Sequence, residues 1–147
     1  MQLNPNYHIA ELMFRYNYPA FNEGANSIFD SGIANARFLK LHAHYKTDKW
    51  TWSGAVIMAN AMETAKSGKD AYHHEENYRF AATEDQKDDY GYEFDFGFDY
   101  QWNPNVKISG FLAYWLVGEY YAFDNDPNEE ISTENILGTG MRIGIDF

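Results

Sequence analysis

The chain has 147 residues, with 22 acidic and 11 basic side chains, a net charge of −11 and no cysteine, so a disulfide scaffold, a thiolate metal centre and a basic nucleic-acid surface are all excluded. Its length suits one domain, and no run approaches the roughly 18 to 20 consecutive apolar residues that a membrane helix needs. The mean hydropathy is negative, yet Tyr, Phe and Trp make up 18% of the residues, a combination that a membrane barrel produces by alternating lipid-facing and lumen-facing side chains.

The opening Met1 Gln2 Leu3 Asn4 Pro5 Asn6 has neither the basic start nor the apolar run of a secretory signal, so an outer-membrane location would imply that the sequence shown is not the primary product. Residues 8–18 put Ala10, Leu12, Phe14, Tyr16 and Tyr18 on one face against Glu11, Arg15 and Asn17, which predicts a first strand. Residues 33–45 set Leu39, Leu41, Ala43 and Tyr45 against Lys40, His42 and His44. Residues 50–58 set Trp50, Trp52, Val56 and Met58 against Thr51 and Ser53. The clearest alternation is 90–102, where Tyr90, Tyr92, Phe94, Phe96, Phe98, Tyr100 and Trp102 oppose Gly91, Glu93, Asp95, Gly97, Asp99 and Gln101. Residues 106–116 carry Val106, Ile108, Leu112, Tyr114 and Leu116 opposite Lys107 and Ser109, although the second face also turns apolar at Phe111, Ala113 and Trp115. In 137–147, odd positions are apolar or Thr and even ones are Gly or charged, and the strand ends on Phe147.

Six strands are thus expected. Segments 46–49 and 103–105 read as tight turns, whereas 19–32, 61–88 and 119–135 are long and polar, and the two kinds alternate. In a membrane barrel the short turns are periplasmic and the long loops extracellular, so each connection falls on its expected side. The three long segments carry net charges of −2, −3 and −6, the whole excess of the chain, and the strands and turns balance.

Gly91 Tyr92 Glu93 Phe94 Asp95 Phe96, then Tyr100 Gln101 Trp102 Asn103 Pro104 Asn105 Val106, and the closing strand with its terminal aromatic residue, resemble the carboxyl-terminal portion of Gram-negative outer-membrane β-barrel porins, including the large alginate-export type. The resemblance implies an all-β, antiparallel transmembrane β-barrel segment in the outer membrane, touching lipid and lipopolysaccharide, passing ions and small polar solutes, and using no cofactor. Single-chain barrels have an even number of strands from about 8 upward, so six should not close. Leu3 Asn4 Pro5 Asn6 also repeats the turn at Trp102 Asn103 Pro104 Asn105. The expectation is therefore the carboxyl-terminal part of a larger barrel, completed by further sequence, another chain or a homo-oligomer.

The polar face supplies the pore-lining candidates Glu11, Arg15, Lys40, His42, His44, Glu93, Asp95, Asp99, Lys107, Arg142 and Asp146, which either keep a lumen wet and set solute preference or simply pair with one another. The lipid-facing set is Phe14, Tyr92, Phe94, Phe96, Phe98, Ile143, Ile145 and Phe147. No catalytic or metal site is expected. His42 and His44 share a strand face and His73 His74 Glu75 Glu76 offers more ligands, but the adjacent His73 and His74 point to opposite faces if extended. Asp124 Asn125 Asp126 Pro127 Asn128 Glu129 Glu130 lacks the glycine and distant Glu of a calcium loop and reads as solvated, with divalent bridging to lipopolysaccharide as the alternative. Ser53 with His42 or His44 makes a lipid-modifying hydrolase conceivable, without any nucleophile motif. A structural barrel that encloses or anchors a partner is the other alternative.

Overall fold

The computed structural model describes residues 9–14, 35–73, 78–126, 128 and 131–146. Its centre is a five-stranded antiparallel sheet built from β1 (Ala36–Lys46), β2 (Trp50–Ala61), β5 (Asp89–Asn103), β6 (Val106–Val117) and β7 (Ile136–Ile145), in that spatial order. The topology is up and down. The shortest of these strands has 10 residues, within the roughly 9 to 11 that a tilted strand needs to cross a bilayer. Among the described residues, β1 and β7 each pair on one side only, so the sheet is open. No described helix is long and apolar enough to cross a membrane, which says nothing of strands.

Five of the six expected strands form, with ends moved by at most three residues. The exception is 8–18. Within its described part, residues 9–14, there is no strand; Ile9, Ala10, Met13 and Phe14 are all buried. A strand lying on one sheet face buries residues of one parity, whereas here both parities are buried, and Phe14 sits at φ 66°, outside any extended conformation. The segment crosses the strands as a strap. Lys40 Nζ on β1 donates to the Ile9 carbonyl at 2.6 Å, and Leu12 at the other end rests on Gly138 of β7, where a Cβ would stand 2.4 Å from its Cδ2. The strap therefore reaches from one edge strand to the other.

The segment read as a loop over 61–88 contains a second, two-stranded sheet, β3 (Asp70–His73) with β4 (Tyr78–Ala81). It is tied to the next long connection through Asn125, whose carbonyl accepts from the Thr83 hydroxyl at 2.5 Å and whose side-chain amide donates to the Ala81 carbonyl at 3.1 Å. That connection begins with a 3-10 turn, Glu119–Ala122. At the opposite end, Asn103 closes the β5–β6 turn by accepting the Asn105 amide at 2.9 Å. Residues 1–8, including the Leu3 Asn4 Pro5 Asn6 repeat, lie outside the described residues.

A bulge changes one expected facing. Ala59 pairs with Gly91 and Asn60 with Asp89, so the register of β2 on β5 skips Tyr90. Gly91 takes φ 99°, and a Cβ there would lie 2.0 Å from the Leu116 carbonyl oxygen, so glycine is required. Tyr90 leaves the aromatic row and enters the core, where its ring meets Phe14 at 5.2 Å and Tyr120 at 4.4 Å.

Candidate functional site

Register turns the two parities of each strand into two continuous faces. On one, residues line up in rows across the sheet: Leu39, Met58, Tyr92, Leu116; then Leu41, Val56, Phe94, Tyr114, Leu137; then Ala43, Gly54, Phe96, Leu112, Thr139. Nothing among the described residues covers these rows. Leu41 is 66% exposed, Met141 76% and Ile143 65%, and Tyr92, Phe94, Phe96 and Ile145 are exposed too. Toward the short-turn end the face becomes densely aromatic. Trp50 stacks on Trp52 at 4.9 Å and 3° and meets Tyr100 at a tilt of 36° and 4.4 Å, and the half-buried Phe98 lies 5.8 Å from each tryptophan.

The opposite face is divided into three levels. Near the long connections, the strap covers Ile57, Ala59 and Trp115 and seals a dry patch. Glu93 belongs to this patch rather than to an open lumen: it is 0% exposed, and its carboxylate accepts the Leu12 amide at 2.7 Å and the Met13 amide at 2.5 Å. A buried carboxylate is tolerable only with such partners. Trp115 points into the same patch, its Nε1 donating to the Tyr90 carbonyl at 3.0 Å. This explains the apolar turn of the second face of β6. Phe14 is a further correction, being 6% exposed in this core and not on the outer face.

Below the strap lies a cleft of about 340 Å³ lined by Glu11, Lys40, His42, His44, Ser53 and Asp95. His42 and His44 are exposed, and a hydrogen bond of 3.3 Å joins His42 Nδ1 and His44 Nε2. Ser53 pairs in register with His44, but no hydrogen bond joins its hydroxyl to either imidazole. One Asp95 carboxylate oxygen is buried with no hydrogen-bond partner. The third level, toward the short turns, is an ion-paired patch in which Lys107 Nζ meets Asp99 at 3.0 Å and the Ser109 hydroxyl donates to Asp99 at 2.6 Å. Arg142 is opposite Ser109 across the β6–β7 pair.

Asp146 lies beyond β7, its amide donating to the Asn105 carbonyl at 2.9 Å. Arg15, Phe147 and the His74 Glu75 Glu76 run fall outside the described residues. Sequence reasoning missed the Ser109 partner of Asp99 and the strap amides around Glu93. The only signal for the latter was the apolar residue pair Ile57 and Trp115 on an otherwise polar face. No protein family, curated protein or solved structure matches this chain.

Proposed function

We propose that this chain forms part of the wall of an outer-membrane β-barrel porin or channel passing ions and small polar solutes, with further strands joining at β1 and β7. One observation carries the reading: an uncovered apolar face, continuous in register across five strands, backed by a face holding a charged cleft and an ion-paired patch. Monomeric soluble proteins rarely expose apolar patches beyond a few hundred Å², whereas lipid is the solvent such a face requires. The aromatic cluster around Trp50, Trp52 and Tyr100 suits a membrane-interface girdle. The free edges of β1 and β7 need partners, because each unpaired backbone group in lipid costs several kcal/mol.

The test is conductance in planar bilayers after native extraction in detergent. A wet lumen lined by Asp99 favours cations, and Asp99→Asn shifts selectivity toward anions. Unchanged selectivity in a conducting pore would remove this carboxylate from the pathway. A second reading, a barrel that encloses or anchors a partner, is favoured by the strap lying on the polar face; correctly inserted protein with no conductance would put it first.

A further inference from the structure

His42 and His44 are two apart on β1 and therefore on the same face. Their ring nitrogens, His42 Nδ1 and His44 Nε2, face each other across a hydrogen bond of 3.3 Å that one ring donates and the other accepts, so a bound ion would take the place of the shared proton. Two metal–nitrogen bonds of about 2.0 to 2.1 Å, opened at an angle of about 105°, span that same distance. The geometry points to a metal site at this pair: a dihistidine chelate for a divalent first-row ion of the nickel, copper or zinc group, the ions that imidazole suits.

The surroundings agree with this chemistry. The pair lines a cleft open enough for the ion to keep water ligands, into which the strap also brings Glu11. The ammonium of Lys40 is held at the strap, on the Ile9 carbonyl, two positions along the strand from His42. Among the described residues no third His, Asp or Glu completes a ligand set, so the two imidazoles are the ligands these residues supply, with water at the remaining positions. That makes the site exchangeable and not a structural one. The site is independent of whether the barrel conducts.

The test is Cu2+ binding to the full chain in detergent micelles, followed by electron paramagnetic resonance and by titration. The wild type is expected to bind one Cu2+ with two nitrogen couplings. His42→Asn and His44→Asn should each leave one coupling and weaken binding at least about tenfold, since joining two ligands on one scaffold raises affinity on the order of 100-fold. The asparagine variants keep a polar side chain on the strand, and far-UV circular dichroism verifies that the sheet is retained. His73→Ala with His74→Ala should leave the signal unchanged. Single variants that bind as the wild type does, or loss of the signal from the His73 and His74 pair or from His8→Ala alone, would overturn the proposal.

Discussion

The two faces of the sheet are made by the same five strands, yet one is apolar from end to end and the other changes character twice. Rows such as Leu41, Val56, Phe94, Tyr114 and Leu137 could be exchanged with their neighbours without altering the outer face. The opposite face passes from a dry patch under the strap, through the histidine cleft, to the Asp99 and Lys107 pair. A homogeneous solvent asks only for hydrophobicity, and alternation alone satisfies it. An interior has to satisfy each polar group individually, so it is built from particular contacts.

The most severe way to break this contrast is to charge the uniform face. Phe96→Arg, near the middle of β5, should cost on the order of 2 to 4 kcal/mol in folding from urea into lipid vesicles, while Asp95→Asn on the other face should leave that midpoint nearly unchanged. Equal effects would mean that the two faces meet the same medium. Within the segmented face, Glu93→Gln removes one charged acceptor from a pair of strap amides and should cost on the order of 1.5 to 3 kcal/mol. Amide exchange at Leu12 and Met13 should accelerate with it, and unaltered exchange there would show that Glu93 does not hold the strap.

Smaller effects sharpen the same contrast. Trp115→Phe removes the indole donor of the 3.0 Å hydrogen bond to the Tyr90 carbonyl, which keeps the Gly118 amide at 3.2 Å, and leaves part of a buried site unfilled, a loss of about 1 to 2 kcal/mol by denaturant titration. Lys107→Met at the turn end removes a half-exposed ion pair and should cost no more than about 1 kcal/mol, shrinking further in high salt. A larger loss at Lys107 than at Trp115 would invert the assignment of dry and wet levels.

The uniform face was the part legible in sequence, because a two-residue period is all it requires: Tyr92, Phe94 and Phe96 announced both the strand and its facing. What escaped is what period cannot encode. The alternation of 8–18 resembled a strand, but residues 9–14 bury both parities and turn at Phe14. Tyr90 matched the aromatic row until a bulge of one residue sent it inward. Glu93 and Asp95 looked equivalent, and only the strap, brought in from 81 residues away, distinguishes a caged carboxylate from one in the cleft. The short strands β3 and β4 lay within a polar segment whose overall composition reads as loop.

The strap also constrains the order in which the molecule is made. It lies near one end of the chain, and Leu12 rests on Gly138 near the other, so its final contact waits for β7 to dock on β6. Contacts this distant along the chain close slowly, because the entropy of the intervening loop is spent before they return any energy. Ile9 and Met13, both fully buried in the finished structure, pack with Ile57, Ala59 and Trp115 of β2 and β6, so they can seat before β7 docks. Closing the Leu12 side chain onto Gly138 is thus a late event of folding, reached only when the last strand is in place.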